Sequence, residues 1–376
     1  MFGSVSNTLL LLISSFVLTF AIMPKIISVV KYKRLMDSPN ERSSHQQHVP
    51  SLGGIAFYII LVLGLYFLNQ FDKENVVMSI IPGLLILFII GLKDDLVVLS
   101  PYTKIIAQLV AISFILIHPS FHVLHLHGFL GIGNVSLYFI TPLSAFIMLA
   151  IVNAYNLIDG IDGLASIVGI VIFSILGALF YLLKMDVFFG ICLIMIGSLL
   201  AFLRFNLSSK HKIFMGDTGS LLIGFVIATL VVRLFSTSGH ALKALPFQME
   251  NLPLVIMAIL VVPFFDTARV FTIRILNKKR PFTADRNHIH HLLIDSLHLS
   301  HRRASVLIGF INVLFIVTFI LLSSTLNNFW LLIAMFSAIM IMVYFFYRIN
   351  FSYRNLRRRL SLKKRTKSFK GISNIF

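Results

Sequence analysis

Asn153-Ala154-Tyr155-Asn156-Leu157-Ile158-Asp159-Gly160-Ile161-Asp162-Gly163-Leu164 is the stretch that decides how this 376-residue chain is read. Asn153, Asn156, Asp159 and Asp162 recur every third position, which on a helix or a tight helical turn keeps them on one side. The two Asp-Gly pairs end the helix and turn the chain, because Gly after Asp favours turn geometry. Apolar runs flank the stretch, at 138–151 before it and 164–183 after it. Two acids and two amides therefore sit where an apolar segment meets water. An ordinary polar loop between two spans would need neither the period nor the amides.

Working outward, the chain is 58% hydrophobic and only 12% charged, with a mean hydropathy of +0.93. Soluble domains carry about 25% charged residues, so the composition predicts an all-α polytopic membrane protein. The single cysteine, Cys192, lies in an apolar run and reads as packing, since it has no disulfide partner within the chain. The run 5–23 has no small-residue cleavage signal and reads as an uncleaved first span. Segments able to cross about 30 Å of hydrocarbon are expected at 5–23, 53–68, 76–92, 101–117, 138–155, 164–183, 187–203, 219–235, 252–276, 304–326 and 329–347, about eleven in all. The ninth is interrupted by Pro263 and Asp266 and is expected to kink at the proline, with its Arg269–Arg274 end protruding.

Lysine and arginine are divided unevenly between the two sides of that alternation. One side holds 28 of the 32, and the other holds Lys73, Lys184, Arg233 and Lys243. The positive-inside rule makes the rich side cytoplasmic, with the N-terminus outside and the C-terminus inside. Residues 1–349 form one membrane domain and 350–376 a basic cytoplasmic tail carrying Arg357-Arg358-Arg359 and Lys363-Lys364-Arg365. Such a cluster is drawn to anionic membrane lipids, and a tail tethered there needs no nucleic acid partner. On the outer side, alternation through His118, His122, His125 and His127 followed by Gly128–Gly133 predicts a short hairpin near 119–137. Those histidines could also serve a metal.

Ten of the fourteen acidic residues fall on the cytoplasmic side, grouped with other polar residues. Asp94 and Asp95 close the third span, where the negative end of the helix macrodipole disfavours them, so Lys93 or a metal ion should compensate. Gly216-Asp217-Thr218-Gly219-Ser220 enters the eighth span. Thr218 or Ser220 can cap that helix, its amides suit a phosphate, and Asp217 beside them is a natural Mg²⁺ ligand. Asp285-Arg286-Asn287-His288-Ile289-His290-His291 follows the ninth span. Its imidazoles suit phosphate better than a transition metal, and nearby cations such as Arg274 add the field a nucleotide diphosphate needs. These clusters share one face of the membrane and predict an active site there for Mg²⁺ and a phosphorylated ligand. An ion-coupled transporter is the competing class, but it would place acids at mid-span and show paired repeats, and neither is present in the sequence.

Taken together, Ser51-Leu52-Gly53-Gly54, Lys93-Asp94-Asp95, the Asn153–Leu164 motif, Gly216–Ser220 and His288-Ile289-His290-His291 resemble the polyprenyl-phosphate N-acetylhexosamine-1-phosphate transferases. The likeness runs in order from about residue 40 to 300. It implies transfer of a sugar-1-phosphate from a UDP-sugar to undecaprenyl phosphate at the bacterial inner membrane, with release of UMP. It implies Asp94, Asp95, Asp159 and Asp162 as catalytic, Asp217 and Asp94 as ligands of Mg²⁺ (with Mn²⁺ as a substitute), and Asn153, Asn156, Arg274, His288, His290 and His291 as substrate-binding. The peptidoglycan branch, phospho-MurNAc-pentapeptide translocase, carries three consecutive histidines. The His-Ile-His-His pattern instead resembles the branch using UDP-GlcNAc for O-antigen, teichoic acid and related polymers. His45-Gln46-Gln47-His48-Val49-Pro50-Ser51 lacks the basic residue often found just before Gly-Gly. A homodimer is left open by the resemblance.

Overall fold

The computed structural model describes residues 5–33, 36–37, 49–278, 288–297 and 299–349. The basic tail, the Asp285-Arg286-Asn287 segment, the 45–48 loop and the side chains of His290 and His291 lie outside the described residues. The chain forms α1 (Val5–Tyr32), α2 (Gly54–Asn69), α3 (Val76–Leu96), α4 (Pro101–Leu116), α5 (Leu137–Ile158), α6 (Leu164–Leu182), α7 (Asp186–Asn206) and α8 (Gly216–Phe235). A four-residue turn of helix, α9 (Gly239–Leu242), precedes α10 (Leu252–Ile259), α11 (Val261–Leu276), α12 (Ile289–Leu297), α13 (His301–Thr325) and α14 (Asn328–Ile349). Two short antiparallel pairs complete it: β1 (Met36–Asp37) with β2 (Val49–Pro50), and β3 (His125–Phe129) with β4 (Ile132–Asn134).

Every expected span is helical. Among the described residues nine helices are long and apolar enough to cross a membrane, which makes this an all-α polytopic membrane protein. Two of the eleven expected segments are different. The fourth, Pro101–Leu116, is a helix of 16 residues, and the ninth is split into α10 and α11, bent by 65°. The split falls at Leu260 rather than at Pro263. A proline has no N–H for the carbonyl four residues earlier and its ring crowds that carbonyl, so Pro263 breaks the turn ending at Ile259. The first helix is longer than expected, running through Pro24 to Tyr32.

α8 is the central post of the bundle. Its apolar window is 94% buried, against 17% for α14 at the periphery. Without water to drive association, membrane helices pack by close approach of small residues. A Cβ on Gly54 of α2 would collide with the backbone of Gly219, and one on Gly91 of α3 with the backbone of Thr218. At the C-terminal pole of α8, Arg233 donates to the Ser120 carbonyl at 2.5 Å and to Glu74 at 2.9 Å, tying down the segment that leads to the β3–β4 hairpin. The hairpin is the one expected near 119–137. Asp217 sits at the other pole, about 24 Å from Arg233 at 1.5 Å per residue along the helix.

Candidate active site

The two acids that end α3 are compensated, but not by Lys93. Asp94 forms an ion pair with Lys104 in the first turn of α4, and its Oδ1 accepts the Leu99 amide at 2.7 Å. Asp95 faces α8 instead. Its Oδ1 accepts the Asp217 amide at 2.7 Å, and its Oδ2 accepts the Thr218 amide at 3.0 Å and the Thr218 hydroxyl at 2.5 Å. The anion at the N-terminus of α8 is therefore the protein's own carboxylate, where a phosphate was expected, and Asp95 supplies the cap expected of Thr218 or Ser220. Gly216 makes this approach feasible. Its φ of +72° is left-handed, and a Cβ there would strike the Ser51 carbonyl and the Asp95 carboxylate. The Ser51–Gly54 motif docks on the same turn, with Gly53 and Gly54 amides donating to the carbonyls of Phe214 and Met215, each at 3.0 Å.

Asp217, one residue into α8, completes the cluster. Its Oδ2 accepts from Lys104 Nζ at 2.5 Å and its Oδ1 from Asn156 Nδ2 at 2.9 Å. Asn156 also donates to Ser220 Oγ at 2.8 Å. One ammonium thus holds carboxylates from α3 and α8 together. Sequence reading had counted Lys104 only as a marker of topology. The signal that could have found it is its place in Ser100-Pro101-Tyr102-Thr103-Lys104. Ser100 caps α4 by accepting the Thr103 amide, and a cation in a first turn opposes the helix dipole unless an anion holds it there.

The Asn153–Leu164 stretch divides its labour. Asn153 pairs with buried Gln108 of α4, donating to its Oε1 at 2.7 Å, and so joins α4 to α5. Asp159 caps the end of α5 and is half-buried. Burial pushes its pKa up to about 7, helped by the negative charges of Asp217, Asp95 and Asp162. Asp162 pairs with Lys212 at 2.6 Å and lies 3.9 Å from His301 Nδ1. Its carbonyl accepts from Ser305 at 2.8 Å, which draws the start of α13 onto the turn. The Gly163 amide donates to Asn206 at 2.6 Å, fixing the turn to the end of α7. Lys212, His301 and Gln108 were not read as partners from the sequence.

A second group surrounds α11. Asp266, 2% exposed, accepts the Ile289 amide at 2.8 Å and meets His288 Nδ1 at 2.7 Å, so it both starts α12 and orients the imidazole. Arg274 is buried, with its guanidinium 5.9 Å from the Phe271 ring centre.

Among the described residues no three His, Cys, Asp or Glu side chains stand together as a metal site. The donor chemistry nevertheless fits Mg²⁺, which takes one or two carboxylates and completes its shell with water and phosphate oxygens. Asp94 and Asp217 already converge on a single cation.

Comparison with known proteins gives the family. Residues 77–235, which span α3 to α8, match the family described as glycosyl transferase family 4. The chain is 32% identical over 313 residues to a Bacillus subtilis (strain 168) protein named "Probable undecaprenyl-phosphate N-acetylglucosaminyl 1-phosphate transferase", covering 82% of this chain and 83% of that one. It is 28% identical over 304 residues to the undecaprenyl-phosphate alpha-N-acetylglucosaminyl 1-phosphate transferase of Escherichia coli (strain K12), covering 79% of each. The Yersinia pestis protein of the same name is 29% identical over 278 residues.

Proposed function

We propose, for a chain that belongs to glycosyl transferase family 4, that it transfers GlcNAc-1-phosphate from UDP-GlcNAc to undecaprenyl phosphate and releases UMP. The observation that carries this reading is the meeting of Asp94, Lys104 and Asp217, from three separate helices, beside the Asp159–Asp162 turn. The uneven distribution of lysine and arginine supports eleven crossings, an outside N-terminus and a cytoplasmic active site, and the bacterial relatives support residence in the inner membrane.

The reaction joins an oxygen of the lipid phosphate to the β-phosphorus of the nucleotide sugar and breaks the bond from that phosphorus to the bridging oxygen, which leaves on UMP. Both reactants are anionic, so catalysis rests on positioning and on neutralising charge. Asp94 and Asp217 would hold Mg²⁺, which when bound supplies positive charge to the pyrophosphate oxygens. Asp94 is the acid of the pair assigned to orient the lipid phosphate, because its Oδ2 meets only the exchangeable Lys104 side chain, whereas both oxygens of Asp95 are taken by main-chain amides of α8. Lys104 keeps the two carboxylates together and is placed to follow the charge onto a phosphate. Asn156 fixes the rotamer of Asp217. Asp159 and Asp162 form the wall that meets the nucleotide, while His288, oriented by Asp266, and Arg274 serve the donor from the α11–α12 side.

Purified protein incubated with undecaprenyl phosphate, Mg²⁺ and a panel of UDP-sugars tests the proposal through UMP release. Release with UDP-GlcNAc that disappears in Asp217→Asn supports it, and no release with any sugar refutes it.

A further inference from the structure

A cavity of about 600 Å³ opens at the same end of the bundle as the acidic cluster, but outside it, between the end of α7, the segment leading to α8 and the start of α13. Two kinds of surface meet in it. Leu200, Leu203, Arg204 and Leu207 lie on one face of α7, because they are three or four positions apart, while Ala201, Phe202, Phe205 and Asn206 of the other face are buried in the bundle. Leu200 is 39% exposed, so the apolar floor continues onto the outer surface of the bundle that faces the bilayer. At the rim stand Arg204, Lys210, His211 and Arg302, the last reaching across to the Leu207 carbonyl. Among the described residues no carboxylate lines the cavity, and no aromatic ring other than His211.

We propose that this cavity binds an anionic phospholipid of the surrounding bilayer, with acyl chains against Leu200 and Leu203 and the headgroup phosphate among Arg204, Lys210 and Arg302. The order of the surfaces argues for it. An apolar floor continuous with hydrocarbon and a cationic rim one helical turn away are the two halves of a lipid, arranged as they stand in a leaflet. A nucleotide fits less well, since among the described residues the lining offers a base no ring but the His211 imidazole and a ribose no carboxylate. The site also touches the chemistry indirectly. Leu203 and Leu207 pack where Gly163 turns, with side-chain atoms 3.3 and 3.1 Å from the position a Cβ would take there, and Asn206 holds the Gly163 amide. A lipid seated here buttresses the Asp159–Asp162 turn from outside.

Native mass spectrometry of the full-length protein, comparing phosphatidylglycerol with phosphatidylcholine of the same chains, tests this. Each headgroup-level cation is worth roughly fivefold in binding, so Arg204→Ala/Lys210→Ala should weaken phosphatidylglycerol retention by about twenty-five-fold. Lys31→Ala/Lys33→Ala removes the same charge from the end of α1 and should leave retention intact. UMP release in detergent and the unfolding temperature serve as folding controls for both double variants. Equal loss in both pairs would mean a diffuse field and no site. Equal retention of phosphatidylcholine would mean an apolar groove only, and displacement of the lipid by inorganic phosphate or UMP would mean a site for soluble anions. Any of these three results overturns the proposal.

Discussion

Asp95→Ala should be a folding variant before it is a catalytic one. Asp95 accepts three hydrogen bonds from the first turn of α8: two main-chain amides and the Thr218 hydroxyl. Alanine strands both amides, and an unpaired buried donor costs roughly 1–3 kcal/mol. Asp95 is half-buried, so water recovers part of this, and the net loss should be about 3 kcal/mol, above the usual cap value of about 1 kcal/mol. Asp95→Asn retains one acceptor but gives up the charge facing the helix dipole, a loss of roughly 1–2 kcal/mol. Asp94→Asn, which disturbs a pair with Lys104 and one amide, should lower transfer more than it lowers stability. Denaturant unfolding of the three variants in mixed micelles, alongside UMP release, separates these outcomes. If Asp95→Ala unfolds at the wild-type midpoint while transfer is abolished, the carboxylate acts on the reactants and its role as the cap of α8 is refuted.

Lys104→Met leaves Asp94 and Asp217 facing each other without a cation, at a cost of about 2 kcal/mol for a pair that water partly reaches. Millimolar Mg²⁺ should then raise the unfolding midpoint of the variant more than that of the wild type; equal shifts would show that the two carboxylates do not share a cation position. Asp159 titrates near 7 in the folded protein and near 3.8 when unfolded, so between these values the folded state holds the extra proton. Stability in chelator should therefore fall as pH rises through that window and level off above about 7. Asp159→Asn should make that slope shallower by one carboxyl's share, and an unchanged slope would assign it to other groups.

Much of the architecture could be read before any coordinates, because a bilayer demands long apolar runs and punishes polar residues inside them. The four polar clusters were legible for the same reason: they interrupt the runs only at their ends. What sequence reading missed is pairing across distance. Lys104 looks like any other lysine at a span end until Asp94 and Asp217 are seen on either side of it. Asp95 looks like the twin of Asp94, and only the main chain of Asp217 and Thr218, more than 120 residues away, separates their roles. Asn153 obeys the period of three that marks its neighbours, yet it faces α4 and is taken by Gln108. The break at Leu260 was displaced from its cause because a proline acts on the turn before it.

The glycine contacts of α8 bear on how the enzyme moves. At Gly54 of α2 and Gly91 of α3, backbone lies directly against the backbone of α8, with no side chain between them to change rotamer. The wall that carries Asp94, Asp95 and Asp217 is therefore the stiff half of the cleft. Asp266 stands on α11, with His288 bound to it, beyond the 65° bend between α10 and α11. The spacing of Asp94, Asp95 and Asp217 is thus set by helix backbones in contact, whereas the spacing of His288 from them depends on the α10–α11 joint.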